Sequence, residues 1–131
     1  MMTLGDQFET RFEVTEQVYR GFMEIFADRN PLHTDEAFAR EHGFSGKVMY
    51  GNILNGFVSY FVGECLPVKN VAIQHQQIKF GTPVYLHDSL VMHSHLAEVY
   101  DTVNAYLFKF YFQNTAGVKV ARGEVRIGLL S

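Results

Sequence analysis

From Gly51 to Leu66 the apolar residues Ile53, Leu54, Phe57, Val58, Phe61, Val62 and Leu66 cover most of a helix circumference, a pattern that demands burial on nearly every side. A single polar stripe interrupts it. Asn52, Asn55 and Ser59 recur at the three- and four-residue spacings that share a helix face, and Gly51, Gly56 and Gly63 permit close approach. Past Pro67 the texture changes to period two, with aromatic and β-branched residues that predict strands over Val71–Phe80, Ser89–Tyr100, Val103–Gln113 and Lys119–Leu129. Asn114-Thr115-Ala116-Gly117 predicts an antiparallel hairpin between the last two. In the third of these strands Tyr106, Phe108, Phe110 and Phe112 line one face, against Leu107, Lys109 and Tyr111 on the other. Helices first and strands afterwards exclude alternating βαβ units and predict an α+β fold, with one apolar helix wrapped by an antiparallel sheet.

Upstream, Phe8 to Val14 reads as extended, Thr15 as an N-cap, and Val18, Phe22, Ile25 and Phe26 recur at helical spacing, predicting a helix from Glu16 to Asp28. Pro31 lacks an amide hydrogen and pushes Asn30 out of the helical region, so Asp28 to His33 reads as a helix exit and turn. A second helix is expected to start near Thr34 or Asp35 and to stop at Gly43. With 131 residues, 47% apolar, and no linker or internal repeat, the chain reads as a single domain over residues 1–131.

The formal charge of −3 arises from 11 basic and 14 acidic residues scattered along the chain, so no basic field is evident for nucleic acid. A single cysteine, Cys65, forms no internal disulfide, and Met1 to Asp6 lacks the basic start and apolar run of a signal peptide. A cytoplasmic setting is expected. Ile53 to Val62 is broken by Asn55, Gly56 and Ser59, well short of the roughly 20 apolar residues of a membrane span.

Asp28 and His33 flank the turn at Pro31, which lets two groups of different acidity converge, the pairing that general acid–base chemistry uses. Taken alone, the same residues also suit a helix-end carboxylate and an exposed loop histidine.

The run Phe26-Ala27-Asp28-Arg29-Asn30-Pro31-Leu32-His33 resembles the signature of the MaoC-like hydratase/dehydratase family, which includes (R)-specific enoyl-CoA hydratases. The similarity continues through Asp35-Glu36-Ala37-Phe38-Ala39, Val48-Met49-Tyr50-Gly51-Asn52 and Ile78-Lys79-Phe80-Gly81-Thr82-Pro83-Val84-Tyr85. It ends in Phe112-Gln113-Asn114-Thr115-Ala116-Gly117 and Ala121-Arg122-Gly123-Glu124. The resemblance implies the hot-dog fold, a long central helix wrapped by a curved antiparallel sheet. It also implies reversible syn hydration of trans-2-enoyl thioesters to (R)-3-hydroxyacyl thioesters, with no cofactor and no metal, on a coenzyme A or acyl carrier protein substrate. Asp28 and His33 are then the catalytic pair that binds the reacting water, and Asn30 braces their loop. Gly51 supplies the N–H for the thioester carbonyl, and Ser59 matches a serine on the same helix. A homodimer or higher homo-oligomer, with its site near the interface, is the implied assembly.

Three departures from the family pattern stand out. Ala27 occupies a position usually held by a small residue such as glycine and is expected to be harmless, and His87 replaces a turn glycine before Asp88. Tyr50 replaces a histidine that commonly precedes the glycine, which offers a hydrogen-bond donor near the thioester, narrows the entrance or marks a relative with a different substrate. His93 and His95 share a strand face but lack further ligands at a supporting spacing, and His42 and His75 stand alone. Two other classes compete with the hydro-lyase. One is a hot-dog acyl thioesterase, and the other is a non-catalytic acyl-thioester-binding subunit.

Overall fold

The structure, a computed structural model, describes residues 2–131. Strand β1 (Gln7–Glu13) leads into α1 (Glu16–Phe26), which Thr15 caps by accepting from the Val18 N–H at 3.1 Å. Two short helices follow, α2 (Pro31–Thr34) and α3 (Glu36–Glu41), and then α4 (Asn52–Tyr60), which runs on into a π-helical turn over Phe61–Cys65. Strands β2 (Val71–Phe80), β3 (Ser89–Tyr100), β4 (Ala105–Asn114) and β5 (Lys119–Leu129) complete one antiparallel sheet in the order β1-β3-β4-β5-β2. This is the expected hot-dog arrangement. Among the described residues no helix is long and apolar enough to cross a membrane.

The core lies between α4 and the inner sheet face. Ile53, Leu54, Val58, Phe61 and Val62 bury against Leu90, Met92, Phe108, Phe112, Val125 and Ile127. Phe8, Phe61 and Phe108 meet edge-on at centroid distances of 5.5–5.9 Å, and Phe12 stacks on Phe57 at 4.3 Å. Each fully buried phenylalanine contributes roughly 1.5–3 kcal/mol. Gly123 is required where β5 presses on β2, because a Cβ there would stand 2.1 Å from the Gln77 carbonyl oxygen.

Several expectations need correction. Pro31 does not end helical structure; it starts α2 at the first position, where its missing N–H is no loss, and Asn30 is the N-cap. His33 therefore sits on a helical turn. The helix α1 stops at Phe26 because Ala27 takes a left-handed conformation at φ 53°, a costly one for a residue with a Cβ. β4 begins at Ala105 instead of Val103, after a 3-10 turn and a left-handed Asn104. The central helix is not sheathed on nearly all sides, since Asn52, Gly56, Ser59, Tyr60, Gly63 and Glu64 are exposed. One sheet covers one side of α4, and α1 only partly covers the other. Ile25 and Phe26, two of the apolar residues at helical spacing on α1, are 77% and 65% exposed.

Candidate active site

The turn between α1 and α2 is built from its own side chains. The Asp28 carboxylate accepts from the Asn30 N–H at 3.1 Å, and the Asn30 amide oxygen accepts from the Leu32 N–H at 3.0 Å. The Thr34 hydroxyl closes the turn onto the Asn30 carbonyl at 3.2 Å. Asn30 thus takes part in two of the hydrogen bonds that close the turn.

Two tyrosines anchor that turn to the body of the protein. Tyr19 donates its hydroxyl hydrogen to the His33 carbonyl at 2.5 Å, and Tyr50 donates to the Asp28 carbonyl. The Tyr50 ring lies 4.2 Å from the His33 ring and 4.7 Å from Phe22. Burial raises the Tyr50 phenol above its ordinary value, the Asp28 carboxylate and Tyr19 add to the rise, and Arg29 opposes it. The phenol is a fixed donor at neutral pH.

The His33 ring is oriented by Nδ1, which lies 2.6 Å from the Val48 carbonyl oxygen. A carbonyl only accepts, so Nδ1 carries the hydrogen, and Nε2 is the ring nitrogen left to accept whenever the ring is uncharged. Val48 is itself pinned, because its N–H donates to the Leu32 carbonyl at 3.1 Å. Three residues on, Gly51 caps α4 without a side-chain bond. The first amides of α4 lack intrahelical acceptors and carry the positive end of the helix dipole. A Cβ on Gly51 would stand 3.0 Å from two atoms of the Phe80 ring, so a side chain there would have to displace that ring.

His33, Tyr50 and Gly51 line one cavity of about 300 Å³, with Phe80 and Thr82. Asp28 and Ser59 line a neighbouring groove of about 930 Å³ between α1 and α4, with Phe22, Asn55 and Ile73. Asn52 lines both. The expected pair thus faces two adjoining cavities across one helix start. The polar stripe of α4 is wired: Gln76 donates to the Asn55 oxygen at 2.6 Å, and Asn55 donates to the Asn52 oxygen at 2.8 Å. Elsewhere His93 stacks on Tyr111 at 4.8 Å, and Cys65 accepts from the Thr10 hydroxyl at 3.8 Å.

Tyr19, Gln76 and Phe80 escaped the sequence reading. Each reaches the site through packing between distant elements, 14 residues apart for Tyr19 and His33 and 21 for Gln76 and Asn55, which no local spacing signals.

Comparison with known proteins follows the same lines. Residues 3–106 match the family described as MaoC like domain. The chain is 27% identical over 128 residues to a mitochondrial 3-hydroxyacyl-[acyl-carrier-protein] dehydratase of Arabidopsis thaliana, covering 95% of the chain and 75% of the relative. It is 31% identical over 87 residues to a 3-hydroxybutyryl-CoA dehydratase of Methylorubrum extorquens, covering 66% of the chain and 55% of the relative. Among solved structures, an unliganded (R)-hydratase of Pseudomonas aeruginosa superposes with a TM-score of 0.88 at 26% identity, over 98% of the chain and 82% of its counterpart.

Proposed function

Because this chain belongs to the MaoC-like domain family, we propose that it is a hydro-lyase, an (R)-specific enoyl thioester hydratase acting reversibly on trans-2-enoyl and (R)-3-hydroxyacyl thioesters. The observation that carries this reading is the His33 Nδ1 bond to Val48, which leaves Nε2 as the free ring nitrogen of a histidine that lines the same cavity as Gly51 at the start of α4.

In the proposed reaction Asp28 and His33 hold one water. The thioester carbonyl accepts from the Gly51 N–H. As the water oxygen bonds to C3, Nε2 of His33 takes its proton and the double-bond electrons move to the thioester oxygen. A preorganised donor at such an oxygen is worth about 10²- to 10³-fold in rate. The enolate then collapses, C2 receives the proton from the same side, and the Asp28 carboxylate keeps the remaining O–H oriented. Ser59 belongs to the wall that receives the acyl chain, a role its place beside Asn55 and Phe57 supports.

The proposed assembly is a homodimer. β2 is an edge strand of 10 residues with one side unpaired, and Ile73 and Phe80 on it are 39% and 54% exposed. Together with Ile25 and Phe26 they form an apolar rim that an unaccompanied chain would leave in water. The proposed setting is cytoplasmic, which the lone thiol of Cys65 supports.

Crotonyl-CoA offered to the pure protein tests the reading. Loss of enoyl absorbance with formation of the (R)-3-hydroxy product is expected. Release of free thiol in its place would assign hydrolysis, and binding without turnover would assign an acyl-binding subunit.

A further inference from the structure

We infer that Tyr50 is a positioning residue that acts through His33, its ring face supporting the positive charge that the imidazole acquires when Nε2 takes a proton. The inference rests on the hydro-lyase reading above and adds to it the group that steadies the charged base.

The two rings are in contact. Their centroids stand 4.2 Å apart with an interplanar angle of 32°, inside the roughly 6 Å over which an aromatic face attracts a cation. Tyr50 is in turn held in place. Phe22 stacks on it at 4.7 Å and 30°, Phe26 lies 4.8 Å from Phe22, and the Tyr50 hydroxyl donates to the Asp28 carbonyl. The His33 ring, tethered at Nδ1 to the Val48 carbonyl, can still rock about that single bond, and the phenol ring beside it limits the rocking. Both side chains line the same cavity, and Tyr50 is buried, which strengthens a cation–π contact relative to one in water.

The charge has few other supports. The Nδ1 partner is an uncharged carbonyl, and among the described residues no carboxylate is paired with or hydrogen-bonded to the imidazole. The charged and titratable groups on the surrounding elements are engaged elsewhere. Asp28 accepts from the Asn30 N–H, Arg29 donates to the Met23 sulfur, and Asp35 accepts from the Phe38 N–H. Tyr19 donates to the His33 backbone carbonyl, and the Lys47 ammonium lies 5.3 Å over the Tyr19 ring. Asp28 meets the imidazole only through the water of the proposed reaction. The face of Tyr50 is the electron-rich surface in direct contact.

Such a contact favours the imidazolium over the uncharged ring, and the imidazolium develops as the water proton moves to Nε2. An interaction that strengthens toward the transition state raises kcat, whereas one equal in both states changes only KM. Tyr50 is therefore expected to act on kcat.

The test compares Tyr50→Phe with the same chain carrying 3,5-difluorophenylalanine or 2,3,5,6-tetrafluorophenylalanine at position 50. None of the three has the hydroxyl, and fluorine drains the ring face of negative charge in steps. For crotonyl-CoA, kcat should fall along the series by roughly 2- to 30-fold, the worth of one cation–π contact, with KM constant within about twofold. In the His33→Ala background the series should leave the residual rate unchanged, because no imidazolium forms. At a fixed pH of about 6, the share of His33 carrying both ring protons, followed by its Cε1–H resonance, should be smaller with the tetrafluoro ring than in Tyr50→Phe. Should the tetrafluoro chain fail to fold, the difluoro chain makes the same comparison. Equal kcat along the series, equal protonation of His33, or the same fall in the His33→Ala background would overturn the inference. Failure of the unmodified protein to hydrate crotonyl-CoA would instead count against the hydratase reading, and the protonation of His33 would still decide the part played by the Tyr50 ring.

Discussion

The Tyr50 hydroxyl donates to the backbone carbonyl of Asp28 while the Tyr50 ring lies 4.2 Å from that of His33, so one side chain ties together both ends of the α1–α2 turn. With only 3% of its surface exposed, Tyr50 works through packing and one buried hydrogen bond. Tyr50→Phe keeps the ring contacts and should cost about 1 kcal/mol of stability, whereas Tyr50→Ala should cost roughly 3–5 kcal/mol. Urea unfolding measures both, and equal losses would show that the hydroxyl alone carries the effect.

The raised Tyr50 phenol has a signed consequence for pH. The folded state holds that proton more tightly than the unfolded state, so the associated stability is full below the unfolded value of about 10 and is lost as pH rises through the folded value. Urea midpoints should therefore fall above about pH 10 in the unmodified protein and fall less steeply in Tyr50→Phe. Parallel alkaline profiles would refute this assignment.

Among the described residues three with side chains occupy left-handed backbone, Ala27 at φ 53°, His87 at φ 71° and Asn104 at φ 50°, and asparagine is the one of these types that adopts it readily. The expectation that Ala27 is harmless therefore needs revision, because a Cβ in that region costs energy that glycine avoids. Ala27→Gly and His87→Gly should each stabilise the fold by about 0.5–1 kcal/mol, read from thermal or urea midpoints. A loss of stability in both would contradict the backbone account.

The contact of Gly51 with Phe80 predicts a rescue. Gly51→Ala places a methyl against the Phe80 ring, which must shift, and kcat/KM on an enoyl thioester should fall about tenfold or more as the donor geometry at the start of α4 is lost. Phe80→Ala in the same background removes the obstruction and should recover part of the loss. No recovery would mean that the added methyl acts on the substrate directly.

Much of this was legible in the sequence because it depends on local periodicity. The bounds of β2, β3 and β5 agree with the period-two runs, and the hairpin at Asn114 to Gly117 lies where its turn residues stand. The helix at Pro31 was missed because proline is disfavoured within helices yet suited to their first turn. The open side of α4 was misjudged because an apolar residue reports that something covers it, not that its own domain does. The family motif located the Asp28–His33 turn, but no spacing could show that His33 is held by Val48 or braced by Tyr19.

The most direct measurement of the central claim is the turnover of crotonyl-CoA by the unmodified protein, Asp28→Asn and His33→Ala, each shown to be folded by circular dichroism. The account predicts rapid formation of the (R)-3-hydroxy product by the first and a fall of about 10²- to 10⁴-fold in each variant, the range of a positioned acid–base group. Turnover by either variant at the unmodified rate would contradict it.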